Sequence, residues 1–309
     1  MRDETRAWCD LAMAMVIVGS SVVAGKLLVA DLPVCFASML RFALALAVLL
    51  PLLYRREGGL PRVRRASWGI FFLQSLCGSF LFTMLLLHGL TMTSAGAAGI
   101  ITSATPACMG LIAWLALGER PGRDALVGIG LAMAGVAVIN LHAVGGADAL
   151  PGGARPLLGN AMVLGAVVCE SLFLLLRKAV PEPVTPLGMA TVMSLFGFAL
   201  FAPFGLREAV ALDWGAVPAA GWGAVVYYGL VVTVAAYLFW FRGIVRVGAP
   251  VAGVFTGIMP LSALGLSVLV LGEPLSWAAV AGCGCVLAGI WRISGLGGRR
   301  KKAPAKAGA

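Results

Sequence analysis

Charge is scarce in this chain: 12% of its 309 residues are Asp, Glu, Lys or Arg, while 61% are hydrophobic even before its 41 glycines are counted. A soluble domain carries about 25% charged residues and needs polar side chains to cover its outside. A water-soluble enzyme is therefore excluded, and so is a disordered chain, which is poor in apolar residues. Histidine is scarcer still. Only His88 and His142 occur, with no His-Glu-x-x-His or Asp-rich pattern, which argues against an intramembrane metalloenzyme. The seven cysteines form no Cys-x-x-Cys pair and read as small core residues. From Gly19 to Lys26 the chain falls short of a phosphate loop, because Leu27 stands where Ser or Thr is required. No ATP-driven motor is visible, and no cofactor or metal is expected. The remaining class is an all-α integral membrane protein whose helices have no polar face.

Apolar runs between charged or Pro/Gly punctuation predict ten spans: Trp8–Ala30, Pro33–Tyr54, Ala66–His88, Met92–Leu117, Arg123–Leu141, Leu157–Arg177, Pro186–Gly205, Val217–Phe241, Ala249–Leu271 and Leu275–Ile293. Leu11 to Ala30 lacks a small-x-small cleavage site and a second span follows at once, so it reads as a first transmembrane helix and not a signal peptide. The net charge of +10 carries a topology signal. With the N-terminus inside, nineteen of the 23 basic residues fall in inner loops or the tail, and only Arg155 and Arg207 fall outside. Both termini are thus expected in the cytoplasm, with nucleic acid not a partner.

Offsetting the second half by 154 residues lays Pro106 on Pro260 and Leu117-Gly118-Glu119 on Leu271-Gly272-Glu273. Ala95 to Val136 matches Ala249 to Ile290 at 14 of 42 ungapped positions. A weaker register pairs Lys26 with Lys178. Five spans per half is an odd number, so the second unit must enter the membrane from the opposite side. The expected organisation is a 5+5 inverted repeat: residues 1–144, residues 155–294, and a basic tail over 295–309. Inverted repeats supply two near-equivalent packings, the basis of alternating access around a midplane site.

The run Val18 to Lys26, then Arg41-Phe-Ala-Leu-Ala, resembles the first two spans of the EamA family of the drug/metabolite transporter superfamily. So do the repeated Pro106…Leu117-Gly-Glu and Pro260…Leu271-Gly-Glu, and Tyr237-Leu-Phe-Trp240 before Arg242-Gly243. The first span has Val18-Gly19 where Trp-Gly is common in that family. The resemblance implies ten helices and movement of small metabolites, commonly export of amino acids or related compounds, across the bacterial inner membrane.

Several residues could carry the chemistry. Pro106 and Pro260 each remove the donor to a carbonyl four residues earlier, on Thr102 and Thr256. Bare carbonyls at membrane depth need protein or a water-filled cavity. The two Thr-Pro turns either face each other across a central cavity or are kinks healed by the threonine hydroxyls. Glu170 is the one carboxylate well inside a span. It reads as a proton-coupling site, a counter-charge for a substrate amine, or a partner of Lys26 or Arg41. Those two bases either snorkel or meet a carboxylate. Gln74, Gly78, Leu81 and His88 share one helical stripe, as do Thr233, Tyr237 and Trp240. Both stripes suit a cavity for molecules with polar and apolar parts, while Trp240 could instead be an interface anchor and His88 a mouth residue or titrating gate. Glu119 and Glu273 read as surface pairs or caps, or as hinge residues. Gly128, Gly130 and Gly135 with Gly282, Gly284 and Gly289 read as close-packing positions.

The expected function is export of neutral or aromatic amino acids, or of drugs and other metabolites. A facilitative channel and a membrane-embedded enzyme or lipid-handling protein are the alternatives. The expected partners are a small-molecule substrate and the lipid bilayer, and a monomer is compatible with the pattern.

Overall fold

The computed structural model describes residues 2–118, 121–144, 155–244, 246–247 and 254–294. Glu119, Arg120 and the tail from residue 295 lie outside the described residues. Among the described residues the regular structure is helical, without strands. Helix α1 spans Arg2–Asp31 and α2 spans Val34–Glu57. α3 (Arg65–Ser75) runs through a π-helical stretch, Leu76–Leu81, into α4 (Phe82–Met92). α5 (Ala95–Thr102) and α6 (Thr105–Leu117) form a broken pair, followed by α7 (Arg123–Val144), α8 (Pro156–Leu176) and α9 (Pro186–Ala211). α10 (Ala219–Val226) passes through a second π-helical stretch, Tyr227–Ala235, into α11 (Ala236–Ile244). α12 (Ile258–Leu271) and α13 (Trp277–Ile293) close the fold.

Seven helices are long and apolar enough to cross a membrane, eight if the α5–α6 pair is one span. α12 and α13 are shorter apolar helices. The all-helical membrane fold expected from composition is present, but the number of crossings long enough among the described residues is seven or eight, not ten. The expected ninth span, Ala249–Leu271, begins in residues outside the described set. The expected fourth span, Met92–Leu117, is also different. Met92 ends α4, Ser94 caps α5 by accepting the N–H of Ala97, and the helix breaks ahead of Pro106 with a bend of 41°. Large apolar side chains cover the outside, Leu269 at 82% and Val210 at 90% exposure. In water such a surface would drive association; against lipid it is the matching solvent.

Two helix pairs are held reciprocally. α2 and α9 lie together, and each carries in its last turn a glutamate that reaches the start of the other. Glu57 Oε2 accepts the Thr185 hydroxyl at 2.7 Å, and Glu208 Oε2 accepts the Phe36 N–H at 2.8 Å. α7 and α13 meet backbone to backbone. A Cβ on Gly128 would lie 2.7 Å from the carbonyl oxygen of Gly289, and one on Gly289 2.6 Å from that of Gly128. Gly135 and Gly282 stand in the same relation at 2.6 and 3.0 Å. Four of the six repeated glycines therefore pack as expected, while Gly130 and Gly284 face open space. α6 and α12 end alike, on Gly118 and Gly272 at φ +68° and +65°, a left-handed conformation that glycine adopts without a Cβ penalty.

Candidate functional site: a central cavity between the helices

A cavity of two adjoining lobes, about 280 and 360 Å³, lies inside the bundle. Val18, Thr102, Glu170, Val232, Tyr237 and Met259 line both lobes. The walls come from both parts of the chain: α1, α2 and the first π-helical stretch on one side, α8, α9, the second π-helical stretch and α12 on the other. In a π-wound turn the backbone bonds run five residues back, as Phe82 N–H does to the Cys77 carbonyl and Ala236 N–H to that of Val231. Such turns widen the helix locally and are frequent at functional sites. Here they present Gly78 and Ser79 from one side and Tyr228, Val232 and Thr233 from the other.

Arg41 enters the first lobe from α2 and is buried, 8% exposed. One terminal nitrogen donates to the Thr83 hydroxyl at 2.7 Å, and the guanidinium lies over the rings of Phe42 and Tyr228, 4.4 and 4.8 Å from their centres. Its Nε has no hydrogen-bond partner, and among the described residues it has no ion pair. The aromatic faces stabilise the cation partially. An unpaired buried cation beside a cavity is a ready anion site.

Glu170 stands on α8 at the junction of the lobes, with its Oε2 2.7 Å from the Thr105 hydroxyl oxygen. That oxygen is also 2.7 Å from the Thr102 carbonyl, the one bared by Pro106. Thr102 turns its own hydroxyl back to the carbonyls of Ala98 and Gly99. The Thr105 hydroxyl thus reaches the Thr102 carbonyl at a turn that also lines the cavity.

Of the other residues singled out in the sequence, Gly78 lines the first lobe, Tyr237 both, and Thr256, Trp240 and Pro106 the second. Pro260 is buried beside Met259, which does line the cavity. Gln74 lies outside the lining, buried with its amide donating to the Phe173 carbonyl at 3.0 Å. His88 also lies outside it, its Nδ1 2.8 Å from the Met84 carbonyl. Lys26 neither pairs with Glu170 nor reaches the cavity. It donates to the Thr93 carbonyl and stands 3.6 Å from Glu273. Sequence reasoning passed over Thr105, Phe42 and Tyr228. Thr105 had a signal: a hydroxyl just before Pro106 can reach the carbonyl that the proline strips.

Fold and cavity together define a multi-pass helical membrane protein that holds a cavity of small-molecule size. The chain belongs to the EamA-like transporter family, whose family model matches residues 8–141 and again 157–295. It is a membrane transporter and not an enzyme. It is 40% identical to the uncharacterized transporter YetK of Bacillus subtilis (strain 168), over 94% of this chain and 87% of that one. It is 28% identical to a probable terminal-alkyne amino-acid exporter of Streptantibioticus cattleyicolor, over 79% of each. A protein of known crystal structure shares the fold, with a TM-score of 0.61 and 20% identity over 93% of this chain and 96% of that one.

Proposed function

We propose that the protein exports small zwitterionic metabolites, neutral amino acids foremost, from the cytoplasm by alternating access. The observation that carries this reading is the shared cavity with Arg41 and Glu170 on its walls. The guanidinium suits a substrate carboxylate and Glu170 suits the ammonium. The second lobe, lined by Met15, Met109, Leu174 and Trp240, suits an apolar side chain. A relative that is a probable amino-acid exporter supports the same substrate class.

The architecture proposed is ten crossings in two inverted units, residues 1–144 and 155–294, with both termini cytoplasmic. The doubled family match, the like ends of α6 and α12, and the reciprocal contacts of α7 with α13 and α2 with α9 support it. The charge asymmetry of the loops supports the orientation and an inner-membrane location. The test is counterflow in proteoliposomes with labelled leucine, methionine, phenylalanine and threonine. Saturable exchange of at least one is expected, and its absence for all four overturns the substrate assignment.

A further inference from the structure

The hydrogen bonds around Thr105 do not balance if Glu170 is charged. The hydroxyl has one proton and two close oxygen neighbours, the Thr102 carbonyl at 2.7 Å and Glu170 Oε2 at 2.7 Å. The carbonyl can only accept. Pro106 has removed the N–H that would ordinarily serve it, so the hydroxyl proton belongs there. The short contact to Glu170 then holds two lone-pair oxygens together unless the carboxyl itself brings a proton and donates it to Thr105 Oγ1. A lone carboxylate at this depth is also costly, and among the described residues Glu170 has no ion pair.

We infer that Glu170, Thr105 and the Thr102 carbonyl form a proton-binding site that exchanges one proton for one substrate ammonium group. With Glu170 protonated, the proton runs from carboxyl to hydroxyl and from hydroxyl to carbonyl, and every acceptor is served. When the carboxyl loses its proton to cavity water, the Thr105 hydroxyl turns to the new carboxylate. The Thr102 carbonyl is then bare beside it. A carboxylate and a free carbonyl on one wall are the acceptors an ammonium group requires, and the same two are closed to it while the proton is bound. Proton and ammonium therefore exclude one another. The groups facing Glu170 fit this exchange: Cys108 from α6, Tyr237 from α11, and Tyr228 and Arg41 around the first lobe. The other ionisable residues on elements packed against α8 include Arg65, His88, Arg123, Asp124 and His142, within about a turn of their helix ends, Arg177 in the turn after α8, and Cys77 of the first π-helical stretch, which faces Cys169.

The inference rests on the transporter reading above, and two measurements separate their fates. In proteoliposomes of the full chain, labelled leucine, methionine and phenylalanine are followed with and without a one-unit pH gradient. One proton per substrate sustains accumulation up to about tenfold, and Glu170→Gln, which cannot release a proton, brings the ratio to one. Counterflow that persists in the wild type with no response to the gradient overturns the proton site and leaves the transporter reading standing. Absence of any exchange defeats the substrate assignment instead, and infrared spectroscopy of the purified protein then decides the proton site alone. A protonated carboxyl C=O band at neutral pH, absent in Glu170→Gln and shifted in Thr105→Val, upholds the site. Absence of that band from the wild type overturns it.

Discussion

Glu273 caps a helix that Ala95 begins: its Oε1 accepts the Ala95 N–H at 2.7 Å and its Oε2 the Gly96 N–H at 3.0 Å, across 178 and 177 residues of chain. The first N–H groups of a helix have no partner within it, and a carboxylate there also meets the positive end of the dipole. Lys26 stands 3.6 Å from the same Oε1, so the ends of α1 and α12 and the start of α5 are tied at one point. Gly272, in its left-handed turn, is what aims Glu273 back across the bundle. Replacing Glu273 with Ala orphans two backbone donors at roughly 1–3 kcal/mol each. Thermal unfolding in detergent should show a loss of about 2 kcal/mol or more, and a smaller loss in Glu273→Gln, which keeps one oxygen. Equal melting temperatures for Glu273→Ala and the wild type would remove the tie.

The glycines of α7 make a paired prediction. Gly135→Ala sets a Cβ 2.6 Å from the Gly282 carbonyl oxygen, a backbone atom that cannot step aside. It should destabilise the protein by about 1–3 kcal/mol, as overpacking does. Gly130→Ala, with no neighbour within 4 Å of the added Cβ, should be neutral or stabilising by up to about 1 kcal/mol through helix propensity. Melting curves of the two variants side by side test the contrast, and a Gly135→Ala as stable as Gly130→Ala contradicts the close contact.

Arg41 is expected to dominate substrate affinity. Truncating one partner of a buried charged contact costs about 2–5 kcal/mol, so Arg41→Gln should raise the KM for exchange at least about thirtyfold. Arg41→Lys keeps the charge without the planar fork and should fall between. The readout is concentration-dependent counterflow, and an unchanged KM in both variants would show that the carboxylate binds elsewhere.

Gly78 governs the width of the first lobe. A Cβ there would sit 2.6 Å from the Phe173 ring, and Phe173 itself lines the cavity. Gly78→Ala should push the ring inward and raise the KM for phenylalanine more than for threonine. Competition between the two substrates measures it, and an equal change for both would mean that the ring moves away from the lobe.

A pH effect is expected outside the membrane spans. Glu182, in the loop before α9, accepts the Ser67 hydroxyl at 2.7 Å and the Arg64 N–H at 3.2 Å. The Ser67 bond, above all, holds its carboxyl below the ordinary carboxylate range. A depressed folded value means the contribution to stability is fully present above the unfolded value and is lost as pH falls through the folded one. Ser67→Ala should move that loss to higher pH. Carboxyl-labelled NMR of Glu182 follows it, and an unshifted midpoint in the variant would dismiss the hydroxyl as the cause.

Helix positions were legible wherever one apolar run ended in a capping residue: Thr185 caps α9 and Ser276 caps α13 close to the expected starts. The π-helical stretches were not legible, because Leu76–Leu81 and Tyr227–Ala235 have the same apolar composition as the α-helix around them. Thr102, Glu170, Tyr237 and Trp240 could be picked out because polar or amphipathic groups at membrane depth are costly without a purpose. The partner of Lys26 could not, since Glu273 comes near it only through the packing of α12 against α1 and α5. Gln74 and Gly78 shared a stripe and both meet Phe173, but Gln74 is used up on its backbone carbonyl outside the lining, while Gly78 lies against its ring at the cavity wall, a difference the stripe could not show.

The contact between α7 and α13 has one more consequence. Side-chain layers let helices glide by exchanging rotamers, but at Gly128–Gly289 and Gly135–Gly282 the surfaces in contact are carbonyl oxygens, which have no rotamers. The two helices behave there as one stiff lever. The six- and nine-residue π-wound stretches border the cavity, and there a turn could tighten to α by passing its extra residue along the chain. A seam of backbone contacts in one helix pair and π-wound turns beside the cavity is the division that the proposed alternating access would use.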